Sequence, residues 1–514
     1  MRAVSPRRKA FFVARIASPM RDTAPTRNTP GPRSVFLSIF PSIMVPMFLA
    51  VIDQTIVATA LPAIAASLGG VERISWVVIA YLVAGTVAAP VYGQLGDVFG
   101  RRRLIFVALA IFLAASLFCA FASSIEMLTL GRVLQGLGGG GLMTLSQALI
   151  GETVPPRERG RYQGHLAAVV VTSNTFGPVA GGYLTQHLGW RSIFLINLPL
   201  GIIAVLLTLR LEAKPGFRSE HPFDTTGLLL FVLFVAPTLL ALQQIQHAEI
   251  AALPSTAALA LLGIVSLALL LRQERRAPFP LLPIGLLRQP AIWRSDALAV
   301  CHGAALVSLI TLLPIYLRVA RGASASETGL MLVPLTIGIG VGSMITGRVI
   351  SRTGRTSIFP SWGLVFVTLT LLFLAFWVHR LTPSALAWVL LWNGLFMGTV
   401  MGVVQINVQS AAGPQLLGAA AASVQFSRSV GAAFGTALVA AVLFGTLALA
   451  DAEAARLFGT IVQRGTDVLA TLPAPRQATL RSEFEEAFRA AFLTIAAFSM
   501  IGLVLAWYTP VRRI

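Results

Sequence analysis

The sequence predicts an all-α polytopic membrane protein, and three observations carry that reading. Of 514 residues, 56% are hydrophobic and 11% charged, where a soluble domain carries roughly 25% charged residues. The apolar residues come in blocks of about 20, the length a helix needs to cross ~30 Å of hydrocarbon. The charges between blocks are almost all arginine, since Lys9 and Lys214 are the only lysines. An outer-membrane barrel would instead alternate apolar and polar residues over ~10-residue segments.

The elements follow in order. Residues 1–34 hold eight basic residues and one acid. Their short apolar run is broken by Arg15, which argues against a signal peptide and for a basic cytoplasmic tail. Met20 is a second candidate start. An N-terminal six-helix half, 35–211, carries spans near 36–61, 74–95, 103–122, 126–150, 162–185 and 192–211. A central segment, 212–291, carries two more near 225–245 and 251–271, flanked by cytoplasmic loops. A C-terminal six-helix half, 292–510, carries spans near 295–318, 328–350, 357–378, 384–409, 417–447 and 488–509. Residues 511–514 form the C-terminus. The architecture is fourteen spans: two six-helix halves plus two central extra transmembrane helices.

Charge sets the orientation, because positively charged loops stay in the cytoplasm. Alternate loops hold Arg101, Arg102 and Arg103; Arg157, Arg159 and Arg161; Arg210, Lys214 and Arg218; Arg272, Arg275, Arg276 and Arg288; and Arg352 and Arg355. The C-terminal "VRRI" falls on the same side, so an even span number places both termini in the cytoplasm. The opposite loops are short and poor in arginine. The one long loop there, 449–487, has the acids Asp451, Glu453, Asp467, Glu483, Glu485 and Glu486.

Several function classes drop out. The net charge is +19, but the arginines are scattered through short loops, so nucleic acid is not a partner. Cys119 and Cys301 lie inside apolar runs and read as buried small hydrophobes. The six histidines form no metal motif. Neither lysine follows a glycine, which excludes a phosphate-binding P-loop, and no GxSxG nucleophile elbow is present. No metal, cofactor or enzymatic activity is expected. The lipid bilayer and a small-molecule substrate are the expected partners.

One charged stretch recurs. "GQLGDVFGR" (93–101) aligns with "GRVISRTGR" (347–355): Gly93 with Gly347, Gly100 with Gly354, Arg101 with Arg355, and Asp97 with Ser351. Each follows the second span of its half, the parallel-repeat layout of a secondary transporter. "GQLGDVFGRRR" resembles the loop signature of the major facilitator superfamily. The fourteen spans with a central pair resemble its drug:proton antiporter branch, the EmrB/QacA type. "IDQTIVATALP" (52–62), "WVVIAYLVA" (76–84), "RVLQGLGGGG" (132–141), "SNTFGPVAGG" (173–182), "WRSIFLINLP" (190–199) and "FSRSVGAAFG" (426–435) match it in order and spacing. Ser173 replaces a usual glycine. Ser351 removes the acid from the second-half loop, which leaves gating mainly to the first half.

The resemblance implies proton-coupled efflux from a bacterial inner membrane, with the proton as coupling ion and no other cofactor. Gly93, Asp97, Gly100 and Arg101 form the gating loop, where a charge-assisted bond can make and break between two global states. Arg102 and Arg103 read as membrane anchors. Asp53, well over half-way along span one, is the coupling acid; burial of an unpaired carboxylate disfavours its charged form. Arg132 in span four needs an interior partner and tunes proton exchange. Arg428 is a weaker second-half analogue. Gly177, Pro178 and Gly181 form the antiporter motif, where proline kinks the helix and glycines admit a neighbour. Gln135, Asn174, Asn393, Gln405 and Asn407 are candidates for the substrate cavity. Gln409 lies on the same span, and Asp296 and His302 near span nine are a lesser titrating pair. A periplasmic adaptor protein is a further implied partner.

Two other readings stay open from sequence: a specific metabolite exporter on the same fold and a non-transporting membrane sensor.

Overall fold

The computed structural model describes residues 32–69, 73–214, 216, 223–246, 253–277, 280–281, 284–451, 454–455, 457–458, 461, 473–511 and 513. The basic tail lies outside the described residues up to residue 31. The described chain is helical throughout: α1 (Pro32–Leu68), α2 (Trp76–Phe99), α3 (Arg101–Ala120), α4 (Ile125–Thr153), α5 (Arg159–Leu188), α6 (Ser192–Leu195) and α7 (Asn197–Leu209) make the first half. The central pair is α8 (Thr225–Gln246) and α9 (Leu253–Glu274), followed by α10 (Ile284–Leu287). The second half is α11 (Pro290–Arg321), α12 (Ala325–Thr353), α13 (Ile358–Trp377), α14 (Pro383–Met397), α15 (Met401–Ala412), α16 (Leu417–Ala450) and α17 (Ala474–Trp507).

Twelve of these rods, rather than fourteen, are long and apolar enough to cross a membrane, counting α6–α7 and α14–α15 as one rod each and including both central helices. The two remaining long helices, α4 and α5, have 29 and 30 residues but are diluted by glycines and polar side chains. The α4 glycines have a packing reason. A Cβ on Gly140 would collide with the Gly85 carbonyl of α2, so the two backbones cross in contact. Helices in lipid associate through such close packing and hydrogen bonds rather than through transfer from water.

The α14–α15 rod is interrupted after Met397, where Gly398 caps α14 and the Thr399 hydroxyl donates to the Phe396 and Phe359 carbonyls at 2.7 and 3.2 Å. The last helix starts at Ala474, so Glu483, Glu485 and Glu486 lie on α17 rather than in the loop expected over 449–487. That stretch is rich in Ala, Glu, Arg and Gln, which favour helix. Glu453 and Asp467 of the same stretch lie outside the described residues.

The halves meet along two seams. In one, α2 packs on α16; in the other, α5 packs on α12. The central pair leans on the first seam, where Phe231, Val235, Leu239 and Leu270 bury with Val87 of α2 and pack Phe426 of α16. Arginine-rich loops gather at one end of the bundle. There Arg102 of α3 donates to the Thr208 and Leu209 carbonyls that end α7, at 3.3 and 3.0 Å. Thr356 donates to the Val511 carbonyl at 3.1 Å, which brings the C-terminal residues to the same end.

Candidate functional site

Asp53 of α1 has no exposure at all, and neither have Arg132 and Gln135 of α4, Asn197 of α7 and Ser116 of α3. Sequence alone suggests an unpaired acid; the structure corrects this. Arg132 Nη1 donates to Asp53 Oδ2 at 2.5 Å and to Gln135 Oε1 at 2.6 Å. Gln135 Nε2 donates to Asp53 Oδ1 at 2.8 Å and to Ser116 Oγ at 2.8 Å. Asn197 Nδ2 donates to Asp53 Oδ1 at 2.7 Å. The pairing follows from helix geometry, since Arg132 and Gln135 are three apart and share one face of α4.

The rest of the first half frames this network. Arg132 Nε donates to the Val77 carbonyl at 3.1 Å, and its guanidinium lies 4.2 Å from the Tyr81 ring centroid. The Tyr81 hydroxyl donates to the Ala50 carbonyl at 2.8 Å. Thr55, two residues after Asp53, donates to the Ser173 carbonyl of α5 at 3.2 Å. A carboxylate with an arginine and two amide donors is built to hold its charge out of water. Asn197, Ser116 and Tyr81 were missed from sequence; an asparagine inside an otherwise apolar span is the one signal that could have flagged Asn197.

The second constellation lies at the arginine-rich end. Asp97 in the last turn of α2 and Arg101 in the first turn of α3 form a buried ion pair, and Arg101 also pairs with Glu152 at the end of α4. Lys214 Nζ comes within 3.8 Å of Glu152. Gly100 between the two helices has φ +91°, a conformation that favours glycine. Asp97 reaches across to the second half. The Gly418 amide donates to both of its oxygens at 2.9 and 3.0 Å, and the Ala419 amide to Oδ2 at 3.1 Å. These are free N–H groups of the first turn of α16, where a carboxylate is electrostatically favoured. Gly93 permits the approach, because a Cβ there would lie 2.6 Å from the Gly418 carbonyl oxygen. Glu152 was not read from the sequence.

The equivalent second-half loop has no such reach. Ser351 donates to the Arg348 carbonyl on its own helix at 2.8 Å. Among the described residues, two further hydrogen bonds join the halves at this end, Gln409 Nε2 to the Gln147 carbonyl at 2.9 Å and Arg157 Nη2 to the Arg352 carbonyl at 3.1 Å.

Gly177 and Gly181 of α5 face α1, and a Cβ on either would collide with the Thr55 or Thr59 hydroxyl; Pro178 between them is exposed. The cavity candidates do not converge. Gln135 belongs to the Asp53 network, and Asn174 is exposed on α5. Asn393, Gln405 and Asn407 are buried in the second half, each with a side-chain atom lacking a hydrogen-bond partner among the described residues. Arg428 is half-buried on α16. A groove of about 460 Å³ between α13 and α14, lined by Phe366, Phe373, Trp388 and Trp392, lies in the half opposite Asp53.

Two helical halves, the first holding a buried ion pair, meet at one end through the Asp97 carboxylate, an architecture of a membrane transporter. Residues 43–436 match the Major Facilitator Superfamily, and the chain belongs to that family. It is 34% identical over 474 residues to an uncharacterised MFS-type transporter of Mycobacterium tuberculosis, covering 91% of this chain and 68% of that one. It is 32% identical over 422 residues to the multidrug transporter protein MdtP of Bacillus subtilis, covering 80% and 76%. Among solved structures, the human organic anion transporter MFSD10 aligns with a TM-score of 0.62 at 14% identity, over 93% of this chain and all of that one. The proton:xylose symporter XylE aligns with the same score at 12% identity, over 93% and 96%. The fold is that of this superfamily, and the protein is a transporter, not an enzyme.

Proposed function

We propose that the protein is a proton-coupled exporter, a drug:proton antiporter of amphipathic or cationic small molecules, of the fourteen-span EmrB/QacA type. The observation that carries this reading is the buried network of Asp53 with Arg132, Gln135 and Asn197. An intramembrane carboxylate held by a movable cation is a proton site wherever conformational change can separate the pair. The direction of transport rests on "GPVAGG", whose Gly177 and Gly181 seat α5 against α1 beside Asp53, and on the likeness to a multidrug transporter. α4 and α5 lie inside the bundle among the twelve apolar rods; counted as spans they make fourteen, with α8 and α9 as the extra central pair.

The arginine-rich end faces the cytoplasm of a bacterial inner membrane by the positive-inside rule, and both termini with it. The conformation is then closed to the cytoplasm. Opening breaks the Asp97 contact with α16, and alternating access follows as the halves rock about the site. One proton moving inward supplies about 2.3 kcal/mol per 100 mV, plus the pH term.

The test is proton release on adding ethidium to reconstituted vesicles under an imposed pH gradient, for wild type and Asp53→Asn. Coupled flux in wild type alone supports antiport through Asp53. Flux surviving in Asp53→Asn moves the proton site elsewhere. A wild type that moves no member of a lipophilic-cation panel favours a specific metabolite exporter. Co-purification from native membranes tests the periplasmic adaptor.

A further inference from the structure

The chain holds a second intramembrane acid that the Asp53 network does not use. Asp296 lies in α11, six residues from its start at the arginine-rich end, and is 7% exposed. Its Oδ1 accepts one hydrogen bond, from Ser423 Oγ of α16 at 3.3 Å. Its Oδ2 has no partner among the described residues. Of the elements packed on α11, α16 carries the single charged residue Arg428, five residues beyond Ser423, and α15 carries none. The charged residues of α17, Arg476 to Arg489, and Glu327 of α12 lie at the far end of the bundle, while Arg348 and Arg352 close the near end of α12. On α11 itself, Arg294 donates to the Tyr508 carbonyl, and His302 is buried with Nδ1 unpartnered. No ion pair to Asp296 exists among the described residues.

The contrast with Asp53 is the argument. One acid has an arginine and two amides; the other has one long hydroxyl contact. A buried carboxylate with a cation can stay ionised, whereas one without a cation is costly unless it carries a proton. Position gives Asp296 a second property. Ser423 stands just over one turn beyond Gly418 and Ala419, the amides that Asp97 holds from the first half. One end of α16 is thus gripped by a carboxylate from each half. When that end separates from α2, water reaches the turn that Asp296 touches.

We propose that Asp296 is a second proton site, protonated while the arginine-rich end is closed and releasing its proton to water when α16 parts from α2. No bond other than O–H is broken, and the acceptor is water at the opened end. The proposal rests on the antiport reading for its direction but not for the existence of the site.

Difference infrared spectra of the purified protein in lipid nanodiscs, between mildly acidic and alkaline pH, report carboxyl protonation directly. The expected result is a titrating carboxyl band present in wild type and Asp53→Asn and lost in Asp296→Asn. If Asp296→Asn does not fold, Ser423→Ala keeps the acid and removes its one donor, and the band shifts. Titrating spectra unchanged by both variants overturn the proposal. In vesicles, protons counted per ethidium fall about two-fold in Asp296→Asn, as expected for losing one of two intramembrane carriers; an unchanged ratio overturns the transport role. A titrating Asp296 band in a protein that moves no ethidium supports the site and tells against antiport.

Discussion

Asp97→Asn isolates the carboxylate contact between the halves. In the wild type, the Asp97 carboxylate accepts from the Gly418 and Ala419 amides at 2.9–3.1 Å, at the positive end of α16. Asparagine keeps one acceptor oxygen and loses the charge. One charge-assisted hydrogen bond, about 1.5–3 kcal/mol, is lost. The interaction of the charge with the helix terminus, about 0.3–1 kcal/mol, is lost with it. The closed conformation therefore loses about 2–4 kcal/mol, roughly a 30- to 1,000-fold change in the closed-to-open ratio. Spin labels at Arg103→Cys and Gln415→Cys, both exposed sites flanking the contact, read that ratio as a distance distribution. The native cysteines are buried and are replaced if they label. Wild type is expected to give one short-distance population and Asp97→Asn a second, longer one that dominates. A distribution unchanged by Asp97→Asn would refute the assignment of Asp97 as the latch, since no other carboxylate is bonded to the first turn of α16 among the described residues.

Two further outcomes follow from the packing around Asp53. Arg132→Met strands the buried carboxylate with neutral donors, and breaking one side of a buried pair costs about 3–5 kcal/mol, visible as a lower melting temperature in detergent. Arg132→Lys restores only part of it, because an ammonium cannot lie over Tyr81 and reach Val77, Asp53 and Gln135 together; a fully wild-type Lys variant contradicts this. Gly177→Ala drives a methyl into the Thr55 hydroxyl and costs about 1–3 kcal/mol by overpacking. Adding Thr55→Ala recovers much of that loss, and a double variant no more stable than Gly177→Ala argues that α5 does not press on α1 there.

The sequence shows a residue best when it is out of keeping with its surroundings. Asp53 and Arg132 stand out because charge inside an apolar run is expensive, and the structure brings them together. Gly93, Asp97, Gly100 and Arg101 stand out by their spacing, and they do meet at the α2–α3 turn. What each acid bonds to was less visible. Asp97 is held by backbone amides of Gly418 and Ala419, which any residue except proline supplies, so no side-chain signal marks them. Asn197 and Ser116 are small polar residues that a span tolerates for many reasons, and only the fold places them within 3 Å of the network. The sequence reads α4 and α5 as spans 126–150 and 162–185, yet neither is among the twelve helices apolar enough to cross a membrane. Their glycines and polar groups, several of which pack helix against helix, lower that apolarity. The extension of α17 back to Ala474 was hidden because its charged first turns read as loop, although their residues favour helix.

The two seams between the halves are chemically unlike. Along α2 and α16, contact at the arginine-rich end depends on Asp97, whose charge is balanced by Arg101, a cation it shares with Glu152. Along α5 and α12, Gly160 meets Gly347 and Gly164 meets Met344 backbone to backbone, and the matching loop position is Ser351, bonded within its own helix. Arg159, buried beside Gly160, donates to the Val154 and Gly151 carbonyls of its own half, so among the described residues no ion pair crosses the α5–α12 seam. A seam closed by a buried carboxylate has two discrete states, bonded or hydrated. The repeat is thus asymmetric: the α2–α16 seam is closed by a buried carboxylate, and the α5–α12 seam by backbone contact at glycines. The central pair packs on the α2–α16 seam, where Phe231, Val235, Leu239 and Leu270 bury against Val87 and Phe426.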